Sequence, residues 1–181
     1  MPISTKTRRR MTEEDLKALR DDGHKYELVN GRIRTVPTGG RHGWLEAKLM
    51  SLLAPRFLHE KPLFGSSTGF RMVGGNVRSP DLAVMERARL PEGKIPIDFI
   101  DGAPDLAIEI ISPTERPQEV HEKLREYFDS GAQEVWLIFP DKKELHRYTG
   151  LLEVQVLREH ETLTTPLLPG FQLPIAELFE E

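Results

Sequence analysis

Residues 104–111 read PDLAIEII, and this stretch decides how the chain is interpreted. A short apolar run of this kind, opened by Pro-Asp, is typical of a buried β-strand. On a strand, residues two apart share a face, so Asp105, Ala107 and Glu109 point to the same side. Glu109 therefore lies inside an otherwise apolar strand, where a carboxylate is unfavourable without a cationic partner. That partner is either a metal ion or an arginine, and the strand alone does not decide between them.

A second stretch, residues 80–84, repeats the pattern as PDLAV. The two stretches predict two apolar strands, with Asp81 at the start of one and Glu109 inside the next. Two carboxylates placed in this way can bind a divalent metal ion between them. We therefore expect oxygens of Asp81 and Glu109 to reach one ion, which is the arrangement of a metal-dependent phosphodiesterase.

The segments around these strands predict a mixed α/β domain. Helical patterns cover residues 42–54, where Pro55 should kink or end the helix, and residues 117–130. Residues 134–139 form a near-continuous apolar run that is typical of the centre of a sheet. The alternation of strands and helices predicts one domain in which helices pack on a mixed sheet.

The N-terminal region is predicted to be peripheral. Residues 1–11 are basic and are expected to form a mobile arm, which leaves 12–181 as the domain. Thr12 is a helix cap followed by acidic residues, and the helix is expected to end near Asp22. Residues 26–36 predict a β-hairpin, because they contain an Asn-Gly pair that tolerates the positive φ of a tight turn.

Composition limits the class of protein. The chain has 181 residues, no cysteine and a net charge of −4, so it predicts no disulfide framework and no thiolate metal site. The N-terminal half is net basic and could face phosphate groups, although the two halves can equally interleave in space. No signal peptide and no membrane-spanning stretch is recognisable, so a cytoplasmic location is expected.

A cation for the two acids is expected from the helix at residues 117–130. Lys123 flanks the apolar face of this helix, so its ammonium can bend over the edge of the sheet towards the acids. There it would orient water or stabilise negative charge on a phosphate. The alternative is a solvated lysine that pairs with Glu119 or Glu122 on the same helix.

The helix at residues 42–54 carries another acid among apolar residues, as Glu109 does on its strand. Glu46 falls inside its apolar arc, and His42 lies one turn earlier on the same side. We expect Glu46 to face the same cleft as Asp81. The alternatives are an exposed glutamate at the edge of the core and a histidine that only packs.

Other chemistries lack their motifs. The sequence contains no phosphate-binding glycine loop, no dinucleotide fingerprint and no serine nucleophile elbow. Its six histidines are scattered without paired spacing, which argues against a zinc site.

The order and spacing of these motifs resemble those of the Uma-two family of restriction endonucleases, a branch of the PD-(D/E)XK nuclease superfamily. The resemblance covers nearly the whole chain. It is carried by MTEE at 11–14, YELVNG at 26–31, SPDLA at 79–83, APDLAIEIISP at 103–113, EKLREY at 122–127 and LPGFQLP at 168–174.

This resemblance implies a restriction-endonuclease-like α/β fold, with a mixed central sheet flanked by helices and an added N-terminal hairpin. It implies that Asp81 and Glu109 hold Mg²⁺ or Mn²⁺. The superfamily's lysine would stand two residues after Glu109, where this chain has Ile111. Lys123 would then supply the cation, and Glu46 would match an acid that many superfamily members carry on the first core helix.

The resemblance also implies that Asp105 supports the metal ligands and that His42 transfers protons. The implied reaction is phosphodiester hydrolysis of DNA, and cutting both strands would favour a homodimer. Two alternatives stay open because the lysine is displaced. One is a catalytically silent nuclease fold that binds nucleic acid or a protein partner, and the other is an unrelated sheet whose acids form ion pairs.

Overall fold

The structure is a computed structural model, and it describes residues 9–19, 24–36 and 39–181. Most of the expected basic arm, residues 1–8, lies outside the described residues. Met11, near the start of the described residues, is attached to the domain, because its backbone N donates a hydrogen bond to Gly31 O. None of the described helices is long and apolar enough to cross a membrane.

Four helices are described. They span Glu13–Lys17 (α1), Gly40–Phe57 (α2), Pro117–Asp129 (α3) and Ile175–Phe179 (α4). Two 3₁₀ turns, Arg87–Arg89 and Pro91–Gly93, lie in the polar loop between the two Pro-Asp strands.

The strands are short and form two main sheets. In chain order they are β1 (Lys25–Val29), β2 (Arg32–Val36), β3 (Leu63–Gly65), β4 (Phe70–Arg71), β5 (Val77–Arg78), β6 (Leu82–Val84), β7 (Ile100–Asp101), β8 (Leu106–Ile110), β9 (Glu134–Phe139), β10 (Glu144–Gly150), β11 (Glu153–Leu157), β12 (Thr162–Leu163) and β13 (Leu173–Pro174). The larger sheet has the order β11-β10-β9-β8-β6-β3, and the smaller has the order β2-β1-β5-β4-β7. The strands β12 and β13 pair separately.

The central sheet is mixed, as predicted. Strands β8 and β9 are parallel and are joined through α3, whereas β6 pairs with β8 in the antiparallel sense. A helix between two parallel strands is the usual crossover, because parallel strands cannot be joined by a tight turn. The acid-bearing strands β6 and β8 are therefore direct neighbours.

The two faces of this sheet bury different helices. The apolar face of α2 shares one core with Ile108 and Ile110, and α3 shares the other with Ala107 and Ile111 through Leu124. Each large apolar side chain buried in this way stabilises the fold by about 1.5–3 kcal/mol. The alternation places Glu109, an odd-numbered residue of β8, on the α3 side.

The N-terminal hairpin forms as expected. Strands β1 and β2 are antiparallel, and both residues of the turn have positive φ, 53° at Asn30 and 71° at Gly31. A Cβ on Gly31 would lie 2.9 Å from the Cγ of Arg10, so both the turn and the packing require glycine there. Strand β1 also pairs with β5, which joins the hairpin to the smaller sheet.

Two boundaries in the sequence prediction were wrong, and two short strands were not predicted. Helix α1 ends at Lys17 rather than near Asp22, because Leu19 N already bonds Leu16 O in a tighter turn. Helix α2 begins at Gly40 and continues through Pro55, which costs one backbone bond but brings Phe57 into the core. The short strands β3 and β7 had no periodic signal, because two or three residues are too few to show one.

Candidate functional site

The two acids face each other across neighbouring strands. Ala83 of β6 pairs with Ala107 of β8, and both belong to the core on the α3 side. Asp81 stands two residues before Ala83, just outside β6, and Glu109 stands two residues after Ala107. Continuing the antiparallel register therefore brings the two residues opposite each other, and both line one cleft. Both are almost fully buried, with 1% of Asp81 and 3% of Glu109 exposed. Each acid therefore needs compensating partners.

Asp81 has partners from three elements. Its Oδ2 accepts a hydrogen bond from the backbone N of Ile110 at 2.7 Å, and its Oδ1 accepts one from Nζ of Lys25 at 2.8 Å. Nε2 of His42 lies 3.1 Å from the same Oδ1. Burial by itself would raise the pKa of Asp81, but His42 and Lys25 outweigh burial and hold that pKa below its usual range. Asp81 is therefore ionised at neutral pH.

Glu109 is held from α3. Nζ of Lys123 lies 3.2 Å from its Oε2, and the Tyr127 hydroxyl donates a hydrogen bond to its Oε1. Lys123 is also bound to Glu115 at 3.0 Å. Burial raises the pKa of Glu109, Lys123 opposes this rise, and the neighbouring charge of Asp81 adds to it. The two facing acids thus have pKa values shifted in opposite directions, an arrangement that is frequent where carboxylates carry out chemistry.

His42 and Glu46 approach Asp81 from α2. The ligand atoms of these three side chains all lie within 4.8 Å of one another, and they are the one group of this kind among the described residues. The hydroxyl of Ser66 donates a hydrogen bond to Oε1 of Glu46 at 2.6 Å. The half-buried Glu46 therefore lies beside Asp81, whereas Glu109 is not part of this compact group.

Asp105 lies away from the other site residues. Its carboxylate accepts hydrogen bonds from the backbone N of Glu86 at 2.7 Å, from Arg89 at 3.0 Å and from the amide of Gln133. Four residues along a strand separate Asp105 from Glu109 by about 13 Å, although the two share a face. The observed bonds give Asp105 a structural role that holds the 3₁₀ loop, rather than contact with the other candidates.

A cleft of about 610 Å³ opens above the acids. It is lined by Asp81 and Glu109, by Lys123 of α3, by Arg34 of the hairpin and by Thr114 of the loop before α3. Its walls thus carry acids beside cations and hydroxyl groups, a combination that can hold a metal ion and a phosphate together.

Sequence reasoning missed three contributors to this site. Lys25 was not considered, and Tyr127 was assigned only to the core. Glu27 is 4% exposed, and its carboxylate accepts hydrogen bonds from Arg78 at 3.1 Å and from the backbone N of Ser79 at 3.0 Å. These bonds fix the chain just before Asp81. The alternation of Lys25 and Glu27 with a buried valine on one face of β1 was the available signal.

Tyr127→Phe is expected to destabilise the protein by about 1.5–3 kcal/mol, because the Glu109 carboxylate loses a buried hydrogen bond while the ring packing is kept. The measurement is the free energy of unfolding in urea. Tyr148→Phe is the matched control, since that side chain is only half-buried. Equal stability of the two variants would mean that the bond to Glu109 contributes nothing.

Comparison with known proteins matches the chain to a protein family and to a solved structure. A family model described as "Uma2: Putative restriction endonuclease" matches residues 13–176. A crystal structure of a putative nuclease belonging to DUF820, from Anabaena variabilis ATCC 29413, superposes with a TM-score of 0.80 and 24% sequence identity, covering 93% of this chain and 97% of that chain. At this identity the likeness establishes the fold alone. No curated protein matches the chain.

Proposed function

Because the chain belongs to the Uma2 family, whose model describes a restriction endonuclease, we propose that it hydrolyses phosphodiester bonds of DNA with a divalent metal ion, Mg²⁺ or Mn²⁺. The observation that carries this proposal is the pair of buried acids, Asp81 and Glu109, which face each other below an open cleft and have lysines at their carboxylates.

The residues fit a hard divalent cation. Carboxylate oxygens of Asp81 and Glu109 are the donors that Mg²⁺ and Mn²⁺ prefer. Nε2 of His42 is buried 3.1 Å from Oδ1 of Asp81, and no described residue is aligned to form a hydrogen bond with it. A bound ion would polarise the phosphoryl group and lower the pKa of the attacking water. We propose Asp81 and Glu109 as its ligands, with Glu46 as a further acid of the site.

Lys123 would take the place of the lysine that the superfamily carries on the strand, at the position where this chain has Ile111. Its Nζ reaches Glu109 from α3, and the surrounding acids raise its pKa above the usual range against the opposing effect of burial. It therefore remains an ammonium, which can stabilise charge on the phosphate or orient water. Lys25, at Asp81, adds a second positive charge.

The same ion pairs favour a second candidate function. Both acids already have a lysine partner, as expected of a silent nuclease fold in which binding of nucleic acid or a protein partner has replaced catalysis. A silent domain would bind without cleaving, so one experiment separates the two candidates.

Supercoiled plasmid DNA is expected to be nicked or linearised when Mg²⁺ or Mn²⁺ is present and to stay intact with excess EDTA. The products are resolved on agarose gels, and the cation is added back after chelation as a control. Retardation of intact DNA on the gel, with no cleavage under any divalent cation tested, would establish the silent alternative.

A further inference from the structure

We propose that His42, Glu46 and Asp81 form a metal site with a nitrogen ligand, which takes a borderline transition-metal ion such as Mn²⁺ more tightly than Mg²⁺. This inference deepens the proposed function, on which it rests for its role in hydrolysis, but it concerns metal binding and can be tested without DNA.

The geometry of helix α2 directs two of the three proposed ligands to the same place. His42 and Glu46 are four residues apart on α2, so their side chains project from the same side of the helix. Asp81 approaches them from the end of β6, and the three ligand atoms lie within 4.8 Å of one another. Atoms at this separation can bind one ion with only small side-chain rotations, because metal–ligand bonds are about 2–2.5 Å long.

The buried Nε2 of His42 is the second observation that points to a metal ion. Its Nε2 is buried and lies 3.1 Å from Asp81 Oδ1, but the two are not aligned as a hydrogen bond requires, and no other described residue bonds this nitrogen. A protonated imidazole forms an ion pair with Asp81 at this distance, but an imidazole with an unprotonated Nε2 leaves a buried polar atom without a hydrogen bond, which costs about 1–3 kcal/mol. A metal ion between the imidazole and the carboxylates would satisfy it.

The other two ligands are already oriented. Ser66 holds one oxygen of Glu46 and the Ile110 amide holds one oxygen of Asp81. Glu46 thus keeps its second oxygen for an ion, and Oδ1 of Asp81, which also accepts a hydrogen bond from Lys25, has a lone pair left to bind one. Such outer hydrogen bonds are what fix metal ligands in place.

The local charge favours a dication. Glu46 and Asp81 carry two negative charges, and Lys25 is the one ammonium bonded to them among the described residues. With a neutral imidazole, the group keeps a net negative charge. An imidazole ligand also discriminates between cations, because Mg²⁺ prefers oxygen donors whereas Mn²⁺ and the later transition metals accept nitrogen.

The test is Mn²⁺ binding to the whole protein without DNA, at a mildly alkaline pH where imidazole is neutral. Calorimetry is expected to show tighter binding of Mn²⁺ than of Mg²⁺. Pulsed electron paramagnetic resonance of bound Mn²⁺ is expected to show modulation from a directly coordinated ¹⁴N. His42→Ala should abolish that modulation and weaken Mn²⁺ binding ~100-fold, since loss of even an outer partner costs 10–100-fold.

Two further variants guard the interpretation. His59→Ala removes an exposed histidine just beyond α2 and should leave binding and modulation unchanged. Glu46→Gln keeps the shape of the side chain and should weaken Mn²⁺ binding even if His42→Ala fails to fold. The proposal is overturned if bound Mn²⁺ shows no nitrogen coupling, or if His42→Ala or Glu46→Gln binds Mn²⁺ as the wild type does. Nitrogen-coordinated Mn²⁺ without DNA cleavage would instead leave this site standing and refute the proposed nuclease function.

Discussion

Asp81→Asn is expected to lower metal-dependent cleavage of plasmid DNA by ~1000-fold or more. Asparagine keeps the shape of the side chain and can still accept the bond from Ile110 N, but it removes the negative charge that all proposed metal positions share. Metal-assisted polarisation contributes several kcal/mol to such reactions, and each 1.36 kcal/mol corresponds to a factor of ten in rate. Initial rates of nicking at saturating Mg²⁺ measure the effect.

The same substitution is expected to destabilise the fold, so activity and folding have to be separated. Lys25 would lose the carboxylate it binds at 2.8 Å, and an unpaired buried charge costs about 3–5 kcal/mol. The double variant Lys25→Met with Asp81→Asn should recover much of that stability without recovering cleavage. Asp129→Asn, at an exposed position at the end of α3, is the control for the change of charge. Cleavage by Asp81→Asn at the wild-type rate would place the chemistry elsewhere.

Lys123→Ala is expected to reduce cleavage by ~100-fold or more, the loss expected when one preorganised charge stabiliser is removed. A lysine that merely flanks a helix face would also be dispensable for folding. The structure contradicts that expectation, because Lys123 is 9% exposed and bridges Glu109 and Glu115. We therefore expect an additional loss of about 3–5 kcal/mol of stability. Rates are measured at a temperature where circular dichroism shows the variant to be folded.

Two comparisons make this result specific. Arg125→Ala removes an exposed cation from the same helix and should change neither rate nor stability appreciably. Lys123→Met combined with Glu109→Gln removes both charges of the pair and should be more stable than Lys123→Ala while remaining inactive. If folded Lys123→Ala cleaves as fast as wild type, the catalytic cation is not Lys123, and Lys25 becomes the candidate to replace next.

The fold was largely predictable because its periodic signals are local. The face alternation of residues 104–111, the Asn-Gly turn of the hairpin and the amphipathic pattern of α3 each depend on neighbours within a few residues. The mixed sheet followed from their order. The predicted helix was too short where a tertiary contact outweighed a local preference: α2 does not end at Pro55 but continues to Phe57, which is buried in the core. The prediction was also incomplete for short strands such as β3, which are defined by their hydrogen bonds to a neighbouring strand rather than by a sequence pattern.

For the site, the sequence by itself determined which acids are anomalous. Asp81 and Glu109 interrupt apolar segments, and burying a carboxylate is costly enough that each such interruption indicates a partner. Only the tertiary structure decided who the partners are. Lys25 reaches Asp81 because β1 pairs with β5, and the Tyr127 hydroxyl reaches Glu109 because α3 packs on that face of the sheet. Asp105 shares the pattern of Asp81 but lies at the opposite end of β8 from Glu109 and binds Arg89 there. Side-chain partners depend on how elements far apart in the chain pack against each other, and a local sequence pattern carries no information about that packing.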